Sequence, residues 1–290
     1  MPPTDQIQEL RDYGFTRVVI PPVGIDALDA LRAEAVQFFT QNEDVKQRYS
    51  SDDFNFGYRP YGRQYSATPD RPDMNSSFTY WAGDSATIPG HDLPGVAGFV
   101  DALKRYWNTA GEVAQQILDI LAEYYGYTEP FPFQSSSYLE VNWYLSGVER
   151  DLLQDRHEDG HLFTLAISDG PGLEIEYDGA MGTPICAPNE LLVMAGGILE
   201  AMTDGQIPPL YHQVRNYGLD RRITVLMLVN PPIDKPTASY VSTAGGVDTA
   251  SLARTNGAMF GLPPAPLLLR DRSSSPPSAL GRAEPDVTRP

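Results

Sequence analysis

Cysteine, histidine and positive charge are all scarce in this chain, and each shortage closes off a class of function. Cys186 is the single cysteine among 290 residues, so no internal disulfide forms and no Cys/His zinc pattern is present. Lys and Arg number 21 against 38 Asp and Glu, a formal charge of -17. Phosphate backbones are gripped by clustered cations, which such a surface repels, so nucleic acid is not an expected partner. No run of apolar residues approaches the roughly 18 that a membrane helix requires, so no membrane partner is expected. The opening MPPTDQIQEL lacks the basic start and apolar stretch of a signal peptide. A reducing cytoplasm is the expected compartment.

Against these absences, hydrophobic residues make up 41% of the chain, enough for a large core without staples. No internal repeat is found. Ile25, Leu28, Leu31, Ala35 and Phe38 recur at helical spacing and predict a helix over Gly24 to Thr40, with Asp26 as a candidate cap. A polar, aromatic-rich stretch from Asp52 to Gly83 predicts short strands and a long loop. A second helix is expected from Val96 to Tyr125, ended by Gly126. After Pro132 the period becomes alternating. Strands are predicted at Tyr138–Tyr144, Leu162–Ser168, Leu173–Tyr177, Glu190–Met194 and Arg222–Asn230. In the third of these, Leu173, Ile175 and Tyr177 alternate with Glu174 and Glu176, as in a half-buried strand. Helices first and strands afterwards give an α+β fold class, mainly β with supporting helices, around a barrel or jelly roll.

The four histidines are His91, His157, His161 and His212. In extended chain, positions i and i+2 face the same side, so His157 and Asp159 can reach one ion. A second imidazole from another strand completes a set of two His and one carboxylate, which leaves three positions open on iron(II). Alone, the His-x-Asp triplet equally fits a surface turn. Its company narrows the choice. Arg222 and Thr224 share one face of their strand, and together form a receptor for a carboxylate; a surface arginine at a strand start is the alternative. Asn142 and Tyr144 also share a face, within reach of a keto acid held on the metal, although Tyr144 also fits an ordinary core aromatic.

In order along the chain, these residues resemble the isopenicillin N synthase-like branch of the 2-oxoglutarate/iron(II) oxygenases. The resemblance runs from Tyr13-Gly-Phe, expected in a strand, through Phe38-Phe39, Lys46 to Tyr49, Gly57-Tyr-Arg-Pro60 and Asn142-Trp-Tyr144. It continues with His157-Glu-Asp159, Thr203-Asp-Gly205, His212-Gln-Val214 and Arg222-Ile-Thr224. It implies a double-stranded β-helix, with iron(II) on His157, Asp159 and His212 and no catalytic residue beyond these ligands. Arg222 and Thr224, helped by Tyr144, would hold the distal carboxylate of 2-oxoglutarate, with Asn142 near its keto-acid end. Oxygen is the second co-substrate. The implied reaction is oxidative decarboxylation of 2-oxoglutarate coupled to hydroxylation, desaturation or ring closure of a small molecule, in specialised metabolism. Thr224 stands where the family carries serine, which keeps the hydroxyl. Asn55 stands where the synthase carries an arginine, which speaks against that enzyme itself. Asp159 is present, unlike in the related halogenases.

Glu140 should face inward beside Asn142, where relatives of the branch touch substrate. It either pairs with a substrate amine or with an internal arginine such as Arg59 or Arg63. Glu140, Arg59 and Asn55 are the expected substrate contacts, and the aromatics of 54–65 and 78–81 are candidate walls, or else core. His161 is expected beside the triad or at the surface, and His91 exposed. One oxygenase domain is expected over residues 1–232, as a strand and helix region (1–130) and a jelly-roll core (131–232). An extension at 233–270, with Met259-Phe260 and Leu267 to Leu269 closing the mouth or meeting a second subunit, precedes a disordered tail at 271–290. Two other readings stay open: an oxidative cyclase that uses no 2-oxoglutarate, and an inactive barrel that only binds.

Overall fold

The chain enters the fold through a helix where none was expected. Ile7 and Leu10, one turn apart, are buried on one face of α1 (Pro3–Tyr13). Tyr13 thus ends a helix rather than starting a strand, and β1 (Phe15–Val19) begins after Gly14. The structure, a computed structural model, describes residues 3–52, 54–67, 70–82, 96–128, 132–232, 235–241, 246–249 and 251–252. His91, Met259, Phe260 and Leu267 to Leu269 lie outside them, as does the tail.

The predicted helices are both present. α2 (Pro22–Phe39) turns Leu28, Leu31, Ala35 and Phe38 inward. Asp26 does not cap it: the helix starts with Pro22 behind Pro21, whose fixed φ suits a first turn, and no side chain caps that end. A single turn, α3 (Glu43–Lys46), follows. β2 (Gly57–Arg59) and β3 (Asn75–Tyr80) come from the aromatic-rich stretch, ahead of α4 (Ala97–Tyr125), which ends at left-handed Gly126. α2 and α4 pack along each other. Their seam is aromatic: the Phe38 ring lies 5.1 Å from both Phe78 and Phe99.

The rest is sheet. β4 (Tyr138–Tyr144), β5 (Leu152–His157), β6 (Phe163–Ser168), β7 (Leu173–Tyr177), β8 (Ala180–Gly182) and β9 (Glu190–Ala195) are followed by α5 (Gly197–Met202). Then come β10 (His212–Arg215) and β11 (Ile223–Val229). A seven-stranded sheet runs β1-β9-β6-β11-β4-β3-β2, and a four-stranded sheet runs β5-β10-β7-β8. All pairings are antiparallel. The two sheets form the double-stranded β-helix. Residues 1–130 are not an appendage to it, because β1 and β2 form the two edges of the larger sheet.

The expected alternation of β7 fails at two positions. Glu174 is buried because it accepts hydrogen bonds from Gln213 and Arg215 of β10, each at 2.6 Å. Tyr177 is exposed and rests against Tyr13, ring centres 4.9 Å apart. Beyond residue 232, the chain still packs on the domain. A small hairpin of β12 (Thr237–Ala238) and β13 (Gly246–Val247) leads past Tyr240, which is buried against Tyr125 and Tyr127 of the α4 end.

Candidate functional site

β4, β5, β6, β10 and β11 each deliver polar side chains to one cavity. β5 ends on His157, and β10 begins on His212 directly opposite it, the two rings 4.3 Å apart. Asp159 follows in the loop after β5. Its Oδ1 lies 3.7 Å from His157 Nε2 and 3.8 Å from His212 Nε2. All three residues are buried, and their donor atoms fall within 4.8 Å of one another.

The far side of each group is tied down. His157 Nδ1 donates to the Asp155 carbonyl at 2.8 Å, and His212 Nδ1 to the Leu210 carbonyl at 3.2 Å. A carbonyl only accepts, so each Nδ1 carries a proton and each Nε2 faces the centre. Thr164 of β6 donates to Asp159 Oδ2, leaving Oδ1 for the same centre. Burial, and then His212, push the His157 ring down to about 4, so it is neutral at pH 7. Burial also pushes the Asp159 carboxyl up, but the three neighbouring imidazoles and Thr164 outweigh it, and the carboxyl titrates below its usual range. Two imidazoles and a carboxylate are the donor set that suits iron(II).

The loop holding Asp159 leans on Gly196. A Cβ there would meet the His161 and Asp159 carbonyls at 2.2 and 2.4 Å, so only glycine lets the β9–α5 turn approach the loop. The Gly197 N–H then donates to the Asp159 carbonyl at 3.0 Å.

The second cluster gathers around Arg222, which precedes β11 and is buried. Its Nη1 donates to Thr224 at 2.6 Å, its Nη2 to Ser168 at 2.9 Å and its Nε to the Pro171 carbonyl at 2.9 Å. The guanidinium lies 4.6 Å over the Tyr144 ring. Every one of these partners is neutral. Among the described residues no acidic side chain pairs with Arg222, whereas neighbouring Arg221 is half-exposed and faces Asp169. Asn142 accepts from Asn75 at 2.8 Å, while its own buried Nδ2 has no acceptor among the described residues. Both clusters line one cavity, together with Asn142 and Tyr144.

The expected substrate contacts divide. Glu140 lines that cavity, but Arg59 and Asn55 do not. Arg59 is buried behind Glu140 and paired with it at 3.1 Å, which is the internal-arginine alternative. Asn55 is buried against Trp81, whose indole donates to its carbonyl at 2.8 Å. Tyr58, Phe78 and Tyr80 belong to the hydrophobic core, not to the cavity wall. His161 is buried rather than at the surface, between Asn230 and Tyr138 and outside the triad. Four functional neighbours were not foreseen: Ser168, Thr164, Gln154 and Gly196. Ser168 is set by register alone, opposite Thr224. Gln154 accepts from the Tyr144 hydroxyl at 3.1 Å, and no sequence pattern marks it.

Comparison with known proteins agrees with this geometry. Residues 7–89 match the family described as the non-haem dioxygenase in morphine synthesis, N-terminal region. The oxoglutarate-dependent flavonoid 7-O-demethylase 1 of Ocimum basilicum is 23% identical over 248 residues, which is 80% of this chain and 65% of that protein. The gibberellin 2-beta-dioxygenase 1 of Pisum sativum is 23% identical over 84% of this chain and 77% of its own. In sequence the chain is similar to 2-oxoglutarate-dependent dioxygenases. Solved structures share the fold. A putative 2OG-Fe(II) oxygenase family protein of Caulobacter crescentus superimposes with a TM-score of 0.68 at 21% identity, over 85% of this chain and 87% of that one. A full-length Neurospora crassa protein in complex with α-ketoglutarate and thymine gives 0.73 at 16% identity, over 88% and 90%. No helix among the described residues is long and apolar enough to cross a membrane.

Proposed function

We propose that this protein is a 2-oxoglutarate/iron(II)-dependent dioxygenase, which uses iron(II), 2-oxoglutarate and oxygen to oxidise a small organic molecule in specialised metabolism, within a reducing cytoplasm. The observation that carries the reading is Arg222: a buried guanidinium with only neutral partners, in the same cavity as the triad. A buried cation needs an anion, and a dicarboxylate supplies one. His157, Asp159 and His212 would hold the iron. Arg222, Thr224 and Ser168 would hold the distal carboxylate, with Tyr144 beneath the guanidinium. Asn142 has a spare donor for the keto-acid end.

When bound, iron and 2-oxoglutarate supply oxygen activation, the co-substrate leaving as succinate and carbon dioxide. The chain's own work is positioning. Its buried imidazoles turn Nε2 to the metal position, Arg222 fixes one end of the co-substrate, and Leu226, Leu228 and Met194 give that wall of the cavity an apolar lining. The relatives support a small substrate, since their names specify a flavonoid and a gibberellin, and the Neurospora structure holds thymine. Oxygen-dependent succinate release, measured with iron(II) and 2-oxoglutarate, tests the reading. Its loss in Arg222→Ala is expected. A wild-type protein that consumes oxygen with a substrate yet releases no succinate is the cyclase instead.

A further inference from the structure

β4 lays three polar side chains along one face, and they point to different tasks. Tyr144 lies under Arg222, Asn142 comes next, and Glu140 follows, roughly 13 Å of strand from Tyr144. All three line the cavity. Among the described residues Glu140 is the only acid there besides Asp159, and its charge is already matched. Arg59 Nη1 donates to its Oε2 at 3.1 Å, and both side chains are buried, at 2% and 3% exposure. The arginine is held in turn by the Phe54 carbonyl and by Thr79, the residue opposite Glu140 on β3.

Gln64, from the loop after β2, completes the arrangement. Its Nε2 donates to Glu140 Oε1 at 3.2 Å, and its Oε1 accepts from Arg59 at 3.4 Å. Those two bonds fix which way the amide points. Arg59 does not line the cavity, whereas Gln64 and Glu140 do. The cavity therefore meets a carboxylate with spare lone pairs beside an amide with a spare N–H, and no net charge. A neighbouring acceptor and donor suit a group that offers a donor and an acceptor side by side.

We propose that Gln64 and Glu140 form a substrate subsite for a neutral amide, lactam or imide edge, with the substrate N–H on Glu140 and its carbonyl on the Gln64 amide. This rests on the oxygenase reading for its chemistry but not for its binding. An ammonium is disfavoured, because the charge of Glu140 is already neutralised and the cation would lose its water with no net charge to meet it. A carboxylate is disfavoured because it would face Glu140. The apolar Leu226, paired with Glu140 on neighbouring β11, and Leu228 beyond it suit the hydrocarbon part of such a ligand.

The test is calorimetric titration of the full chain, metal-free and then with iron(II) and 2-oxoglutarate under anaerobic conditions. The probes are 2-piperidone and 2-quinolone as lactams, N-methyl-2-quinolone as the blocked lactam, and tetrahydroisoquinoline as the cation. The expected result is binding of a lactam about tenfold tighter than of the blocked form or the cation. Gln64→Leu should weaken the lactam by about tenfold while leaving 2-oxoglutarate affinity unchanged. It leaves the Arg59–Glu140 pair in place, a fold check by thermal melting accompanies it, and Gln64→Met serves as a second variant that keeps the length and removes the donor. Tighter binding of the cation overturns the proposal, as does lactam binding indifferent to both variants, or no lactam binding to protein that binds 2-oxoglutarate. Failure of 2-oxoglutarate itself to bind counts against the oxygenase reading, and the metal-free lactam titration still decides the subsite.

Discussion

Two buried arginines lie near one cavity, Arg222 in its wall and Arg59 behind it, and they are satisfied in opposite ways. Arg59 has a carboxylate partner inside the protein, Glu140, and is closed. Arg222 touches hydroxyls and a carbonyl, and its charge has no counterion among the described residues. Burial alone therefore does not mark a ligand site. A buried charge whose neighbours are all neutral does, because its desolvation is offset only when something negative arrives. The same cation chemistry is structural at one place and receptive at the other.

The largest effect tests the metal beside the open arginine. Asp159→Ala should lower iron(II) affinity by at least about 100-fold, read by anaerobic titration, since a ligand loss exceeds the 10–100-fold of an outer partner. Retained affinity would mean that the triad is not the metal site. The closed arginine should behave as structure. Arg59→Leu leaves a buried carboxylate unpaired and should cost about 3–5 kcal/mol in urea unfolding, while Arg59→Met with Glu140→Leu recovers most of it. A silent single variant would erase the contrast between the two arginines. Thr164→Val removes the hydroxyl that orients Asp159 and should weaken iron by about tenfold with little change in melting temperature.

The smallest effect is a pH dependence away from both sites. Arg215 beside Glu174, helped by Gln213 against the opposing effect of burial, holds that carboxyl below its usual range. A lowered folded-state pKa means that the contribution is full above the unfolded value, about 4.3, and fades as the pH falls through the folded value. Glu174→Gln should therefore lower stability slightly at neutral pH and flatten the profile below about pH 5. An unchanged acid limb would show that the β7–β10 pair contributes little.

What the sequence disclosed follows from how local each signal is. The helix over Pro22–Phe39 and the strand at Tyr138–Tyr144 carry their own periodicity. His157, Asp159 and His212 stand out because the chain has so few histidines. β5 was hidden, since Gln154, Asp155 and His157 are buried polar residues that break the apolar alternation of Leu152–His157. Ser168 and the choice of Arg59 for Glu140 depend on partners far apart in sequence, which no spacing rule reaches. Gly196 matters only because another loop lies against it.

The central claim is that Arg222 awaits the distal carboxylate of 2-oxoglutarate in a cavity that also holds iron(II). Anaerobic titration of the metal-free protein with iron(II) and then 2-oxoglutarate, following the visible charge-transfer band of the chelate, tests it most directly. The account predicts a band that saturates in the wild type. In Arg222→Ala, iron should still bind, but about 100-fold more 2-oxoglutarate should be needed. An Arg222→Ala titration that overlays the wild type, or iron binding with no response to 2-oxoglutarate, would contradict it.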